Sequence, residues 1–436
     1  MLDIKFIREN PEIIRKDLIK RRKQDRIKKL EELLRKDKEW RSLKQHIDSL
    51  RQKRNIISME VNELIKSKKS PESKINEAKE IPEKLNTLEI NSNELKKAID
   101  SLLLEIPNLI HKNVPSGDSE KDNKVIRKWG KPKKMPFELI SHAELIERHG
   151  IADFETARKT SGQGFNYLTG ELAMLDIALQ RYGLDFMHKH GFRVVMPPML
   201  LRHDTLLGAL NGLQDFADVV YKLENEDLYL IGTAEHSLVS MNMDKVLDYK
   251  NLPVKITAAT PCFRKEIGAH GVDTKGLFRM HQFNKVEQVM LSRPEESYKN
   301  MDYMLGLSEK FFKSLKIPFR VIEICSADLG AKFSKQYDIE AWFPRQKCYR
   351  EVTSAGNCTD YQARALNIKF IDKDGEKRYV HILNNTMVAT SRAMVAILEN
   401  YQLKDGTVKV PAVLQKYMYG LKKMGSNLFK SSIRRR

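Results

Sequence analysis

The sequence predicts an α+β protein in which a long antiparallel helical hairpin precedes a larger domain of mixed helices and strands. Three observations predict it. Two apolar stripes of helical period run through the early part of the chain, separated by a turn-forming break. Beyond them, amphipathic helical stretches alternate with short strand-like runs without a regular βαβ rhythm. The chain's 436 residues exceed one ordinary domain and suffice for a substantial core.

The first stripe is Trp40, Leu43, Ile47, Leu50, Ile57, Val61 and Leu64, in steps of three and four, with Arg54 interrupting one position. That spacing is a heptad. The second stripe is Ile75, Ala78, Ile81, Leu85, Leu88, Leu95, Ile99, Leu102 and Ile106, and the break at 66–73 (KSKKSPES) holds Pro71. Two helices of similar length joined by a short turn fold back as a hairpin about 50 Å long at the helical rise. Pro82, inside the second stripe, is expected to bend or restart that helix. Such a hairpin is more often a structural or dimerisation device than a reader of nucleic acid.

Residues 106–136 are rich in Pro, Gly and charge and show no sustained period, so they are expected to form a linker. The boundary is placed near Asn113, giving an N-terminal domain 1–113 with its arm at about 26–103 and a second domain 114–436 ending in the basic tail KSSIRRR. Within the second domain, 172–189 and 294–315 read as helices, and 193–196, 227–231, 254–259 and 285–292 read as strands.

Lysine and arginine outnumber aspartate and glutamate 77 to 58, a net charge of +19 that favours polyanionic partners, nucleic acid foremost. Positive charge also serves solubility, and composition alone does not choose between the two. The four cysteines, Cys262, Cys325, Cys348 and Cys358, are dispersed and form no C-x-x-C pair, which indicates neither a disulfide framework nor a zinc ribbon. The N-terminus mixes acids and bases without an apolar core, and no run is long enough to cross a bilayer. A cytoplasmic protein without a membrane association is expected. The absence of G-x-x-x-x-G-K-[ST], and of G-x-G-x-x-G after a strand, speaks against P-loop and Rossmann nucleotide sites.

The chemistry concentrates at 263–287, FRKEIGAHGVDTKGLFRMHQFNKVE, which reads as a strand, a Gly-bearing loop and a returning strand. Arg264 and Arg279 offer planar forks that match phosphate oxygens, Phe283 offers a stacking face, and Glu266 offers an acceptor for an exocyclic amine. Residue types alone favour a charged surface hairpin slightly over a nucleotide site, because Arg and Glu alternate on many exposed hairpins.

The stretch F-R-K-E at 263–266 with G-L-F-R-M-H-Q-F at 276–283 resembles the second motif of the class II aminoacyl-tRNA synthetases, in the form found in the seryl branch. Residues 191–200 (GFRVVMPPML) resemble the first motif, a dimer-interface element whose proline corresponds to Pro198, and 383–402 (LNNTMVATSRAMVAILENYQ) resemble the third. The resemblance extends over almost the whole chain. It implies a catalytic domain built on an antiparallel β-sheet flanked by helices, a homodimer, and a tRNA-binding coiled-coil arm. It implies ATP contacts from Arg264, Lys265, Glu266, Arg279, Met280, Phe283, Glu351, Val352, Thr353, Ser354 and Arg392, with Arg264, Arg279 and Arg392 as the catalytic arginines. Thr233, Ala234, Glu235, Glu287, Asn384 and Thr386 would bind serine, and Glu351 and Ser354 would hold Mg²⁺ with ATP. The implied partners are L-serine, ATP and tRNA(Ser), with tRNA(Sec) as a further candidate.

Readings left beside this one are a related ligase that loads an amino acid onto a carrier protein, a non-catalytic RNA-binding paralogue, and a threonine enzyme. Carrier-loading relatives lack a long arm, and the arginines and glutamates named above are intact here. The Cys and two His that bind zinc in threonyl enzymes are not apparent at the matching positions, so no zinc is expected. The chain departs from the usual family form at Gln163-Gly164-Phe165, where an arginine usually precedes the aromatic, and at Ala327, Ala365 and Asn385.

Overall fold

The computed structural model describes residues 1–210, 219–266 and 276–425, and its chain divides into two compact units. One comprises residues 2–19 and 23–107; the other comprises Met1, residues 20–22 and the chain from Asn108 onward.

In the first unit, helix Ile27–Lys66 runs for 40 residues, and the chain returns through helices Glu72–Lys79 and Ile81–Glu105. Ile47, Ile57, Ile81 and Leu85 form the buried seam, flanked by Leu43, Leu50, Val61, Ala78 and Leu88. The hairpin and its heptad are thus as the periodicity predicts. Pro82 restarts the return helix: it sits in the first turn of Ile81–Glu105, where its missing N–H breaks no ladder bond. Ile75 departs from its predicted stripe and is exposed near the tip. Asp37, on the long helix Ile27–Lys66, is buried and held by Arg8 Nε of helix Ile4–Glu9 at 2.8 Å and by Arg41 Nε at 3.0 Å.

The second unit is organised by a sheet with eight strands among the described residues: β1 Lys124–Trp129, β2 Arg193–Val194, β3 Val254–Phe263, β4 Gln282–Ser292, β5 Phe319–Glu323, β6 Lys335–Phe343, β7 Cys348–Asn357 and β8 His381–Ala389. Their spatial order is β1-β5-β6-β7-β8-β4-β3-β2, antiparallel throughout except that β2 runs parallel to β3. Helices Gly170–Lys189, Ser297–Ser314 and Thr390–Asn400 contribute to one large apolar core with this sheet. The α+β class stands.

Strand β1 lies inside the segment expected to be a structureless linker. It is an edge strand, paired with β5 on one side through a bulge between Val125 and Arg127, and most of its side chains remain exposed. Main-chain hydrogen bonds rather than buried side chains hold it, so it leaves no apolar alternation to read. Among the described residues, no helix is long and apolar enough to cross a membrane.

Candidate active site

Strand β4 sits inside the sheet between β3 and β8, and its period of two puts Phe283, Lys285 and Glu287 on one face. Register fixes their neighbours: Glu287 lies opposite Ala258 of β3 and Thr386 of β8. Arg264 follows the end of β3, and its backbone N–H donates to His281 O at 2.9 Å. A cavity of about 380 Å³ opens over this face. It gathers Thr233, Glu235, Arg264, Glu266, Arg279, Met280, Phe283, Glu287, Glu351, Val352, Thr353, Ser354, Asn384, Thr386 and Arg392. Of the candidate residues, Ala234 and Lys265 lie off its wall; Ala234 is buried at the start of helix Ala234–Ser240, and Lys265 donates its backbone N–H to Val219 O at 2.9 Å.

One end of the cavity is lined by buried carboxylates. Glu287, 1 % exposed, pairs with Lys285 Nζ at 2.5 Å and accepts hydrogen bonds from Thr233 Oγ1 at 3.2 Å and Thr386 Oγ1 at 3.4 Å. Thr233 also caps helix Ala234–Ser240, which sets Glu235 in its first turn. Glu235 pairs with Lys332 Nζ at 2.6 Å and accepts from Gln362 Nε2 at 2.8 Å and from Asn384 Nδ2. Burial pushes the Glu235 carboxyl up, but Lys332 and the further partners outweigh it and hold the group below the ordinary carboxylate range. Burial likewise drives His236 down to about 3, so its ring is neutral. Among the described residues, His236 Nδ1 and Asn384 Oδ1 are buried without a hydrogen-bond partner, which leaves unused polar capacity around this end.

The other end is lined by guanidinium groups. Arg279 Nε contacts Glu266 at 3.1 Å, and Arg392 contacts the Glu351 carboxylate at 3.0 Å and its carbonyl oxygen at 3.1 Å. The charge of Arg392 holds the Glu351 carboxyl low, whereas burial and the Glu351 charge push Asp338 well up. Arg264 donates from Nε to Gly232 O at 3.1 Å, and its guanidinium carbon lies 5.4 Å from the Phe283 ring centre. Arg392 belongs to the first turn of helix Thr390–Asn400, whose other residues are nearly all buried, so packing fixes its backbone.

Other members of the site take their meaning only from the fold. Lys332 and Gln362 reach the Glu235 end from separate segments of the chain, and His236 follows Glu235 on the same helix. Phe278 lies under Arg350, 3.8 Å from its ring centre, and under Arg392, at 5.2 Å. Lys285 was legible in principle, since alternation along β4 places it on the face of Glu287.

Two departures from the family form have structural reasons. Gly164 has φ +84°, its carbonyl accepts from His281 N at 3.0 Å, and a Cβ there would lie 2.4 Å from the His281 ring. The loop therefore clamps His281, whose Nδ1 is 2.9 Å from Arg264 O and 3.0 Å from Tyr221 Oη. Asn385 points away from the cavity and donates to Met304 O and Ser308 Oγ, both at 2.9 Å. Ala327 and Ala365 do not line the cavity.

Comparison with known proteins matches the seryl-tRNA synthetase N-terminal domain over residues 1–110 and the class II tRNA synthetase core domain (G, H, P, S and T) over residues 220–401. The serine–tRNA ligase of Pyrococcus horikoshii is 47% identical over 438 residues, covering 96% of each chain. That of Methanoregula boonei is 45% identical over 96% of this chain and 99% of its own. The crystal structure of the Pyrococcus horikoshii seryl-tRNA synthetase complexed with ATP superposes with a TM-score of 0.90 at 46% identity, over 97% of this chain and 99% of that one. A cytoplasmic serine–tRNA ligase from Naegleria fowleri in complex with AMP superposes at 0.84 with 33% identity, over 97% and 98% of the two chains.

Proposed function

The chain belongs to the seryl-tRNA synthetase family of class II aminoacyl-tRNA synthetases, and from that premise we propose how its cavity carries out the reaction. The protein is a serine–tRNA ligase: it uses ATP to join serine to tRNA. The observation that carries the residue assignment is the polarity of the cavity, with arginines at one end and lysine-paired, hydrogen-bonded carboxylates at the other.

ATP lies at the arginine end, with Phe283 stacked on the adenine and Glu266 accepting from its amino group. Arg279 holds the terminal phosphates, Arg392 the γ-phosphate, and Arg264 bridges the α-phosphate and the serine carboxylate. Lys265, Met280, Val352 and Thr353 complete the nucleotide surroundings, chiefly through backbone and packing. Serine lies at the other end, its ammonium and hydroxyl shared among Thr233, Glu235, Glu287, Asn384 and Thr386, with Ala234 as the small residue that shapes the turn. A serine carboxylate oxygen attacks the α-phosphorus and the bond to the β-phosphate oxygen breaks, giving seryl-adenylate and pyrophosphate. A terminal ribose hydroxyl of tRNA then attacks the seryl carbonyl, loses its proton, and AMP leaves. The protein supplies position and preorganised charge rather than a side-chain nucleophile.

Glu351 and Ser354 fit Mg²⁺: both present oxygen to the same wall, and a cation bound together with substrate phosphates needs few protein ligands. Mg²⁺ held there would neutralise phosphate charge.

The hairpin 26–103 is the proposed tRNA arm within the domain 1–113, docking on tRNA(Ser) by shape and phosphate contacts. Charging assays with both transcripts decide whether tRNA(Sec) is also served. A homodimer through 191–200 is supported by the exposed apolar residues Val194, Met196 and Met199 on that segment, Met196 being 97 % exposed. A cytoplasmic location suits the buried thiols of Cys262, Cys325 and Cys358. The test is serine-dependent ATP–pyrophosphate exchange followed by tRNA charging in a protein lacking residues 26–101: exchange should persist while charging is abolished. Parallel loss of both would refute the division of labour.

A further inference from the structure

Lys332 lies outside every motif that identifies the family, yet it contributes a buried cation to the Glu235 end of the cavity. It is 4 % exposed, and its ammonium sits 2.6 Å from Glu235 Oε1 and 5.1 Å from the Phe333 ring centre. The same oxygen accepts from Gln362 Nε2, and the other carboxylate oxygen accepts from Asn384 Nδ2. Glu235 is thereby clamped from three directions by residues of three different segments. Asn384 Oδ1 and Gln362 Oε1 have no hydrogen-bond partner among the described residues, so the amides that fix Glu235 keep spare acceptors beside it.

Charge balance gives this clamp a purpose. Glu235 and Glu287 each meet one lysine, Lys332 and Lys285, so the two pairs are together neutral. A free amino acid is itself a zwitterion, with no net charge to compensate. Without Lys332, a buried carboxylate would lose its counter-ion, and burial would favour its protonated form. A protonated Glu235 would be a poorer acceptor for an ammonium group.

We propose that Lys332 is a positioning residue for amino-acid binding: it holds Glu235 ionised and oriented so that this carboxylate receives the α-ammonium of serine. The inference rests on the assignment of Glu235 to the serine pocket. Burial lowers the Lys332 pKa, but the Glu235 charge and its other partners outweigh that and raise it, so the lysine stays charged across the working range. The charged and titratable groups acting on Glu235 and its clamp are Lys332, His236, Cys358 and Glu287, with Arg264 and Lys285 acting on His236; of these, His236 is neutral and the buried Cys358 thiol is pushed far up. Glu235 is therefore the group whose ionisation depends on Lys332.

The experiment compares the parent enzyme with Lys332→Met and Lys332→Gln. ATP affinity is measured by equilibrium titration, and serine KM by ATP–pyrophosphate exchange between about pH 6 and pH 8.5. Serine-dependent exchange by the parent protein tests the underlying reading on its own. In the variants, serine KM should rise at least about tenfold at pH 7 and recover as pH rises, while the ATP Kd stays within about twofold. The sign follows from a Glu235 pKa raised by loss of the lysine: the carboxylate is regained at higher pH. A serine KM within about twofold of the parent, a defect independent of pH, or an equal loss of ATP affinity would overturn the proposal. If Lys332→Met does not fold, the hydrogen-bonding Lys332→Gln variant decides by the same criteria.

Discussion

The two ends of the cavity handle charge differently. At the Glu235–Glu287 end, both ion pairs are buried: the side chains of Lys332 and Glu235 are 5 % and 3 % exposed, and those of Lys285 and Glu287 8 % and 1 %. At the Arg279–Arg392 end, Arg279 and Glu266 are 43 % and 19 % exposed, and Arg392 and Glu351 22 % and 45 %. Each of these pairs keeps one half-exposed member, Arg279 or Glu351, which lowers the cost of its arginine exchanging a carboxylate for a phosphate. Buried pairs resist exchange because an unpaired partner would stay out of water. The amino-acid end is thus set before substrate arrives, and the nucleotide end changes partners as substrate binds. Discrimination of a small hydroxyl-bearing side chain needs the first arrangement; gripping a flexible polyanion suits the second.

Substitutions at the two ends should separate accordingly. The largest effect is expected at Arg264, which serves both: Arg264→Ala should lower kcat/KM in pyrophosphate exchange by about 10²–10³-fold, as loss of one preorganised donor to developing charge commonly does. Glu287→Gln should act on one substrate alone, raising serine KM about 100-fold with ATP KM unchanged, because the site loses its negative charge and one of its two acceptor oxygens becomes a donor. Arg279→Ala should do the reverse and more mildly, raising ATP KM about tenfold with serine KM unchanged, since its contacts are half in water. If either variant shifted both constants equally, the two ends would not be independent.

A smaller effect tests the same burial rule in the arm. Burial pushes the Asp37 carboxyl up, but Arg8 and Arg41 outweigh it and hold the carboxyl below its ordinary value. A depressed folded-state pKa gives stability that is present above the unfolded pKa and lost as pH falls through the folded value. Asp37→Asn should therefore cost about 1 kcal/mol at neutral pH, discounted because both arginines are partly exposed. The difference between the two proteins in chemical denaturation should vanish in strong acid.

What the sequence revealed follows the range of the interactions involved. The hairpin was legible because its seam is made by residues three and four apart on each helix, and Pro82 announced the restart at Ile81. The arginines and carboxylates of the cavity were legible because they sit in contiguous motif segments, carried to the cavity by strands β3, β4 and β7 and by helices Ala234–Ser240 and Thr390–Asn400. Lys332 was not, because its meaning comes from Glu235, a residue distant in the chain that it meets only after folding. Phe278 was visible as a letter of a motif but not as the ring beneath Arg350 and Arg392. Strand β1 escaped notice because an exposed edge needs no apolar alternation. Gly164 read as an unexplained departure until the His281 ring was found in the space a Cβ would occupy.

The most direct test of a preset amino-acid end is ATP–pyrophosphate exchange by the intact protein with serine, threonine, alanine and cysteine supplied separately. Serine should exceed each of the others in kcat/KM by at least about 100-fold, alanine failing because buried hydrogen-bonding groups would be left unpaired. Exchange with alanine or threonine at a rate comparable to serine would contradict the account.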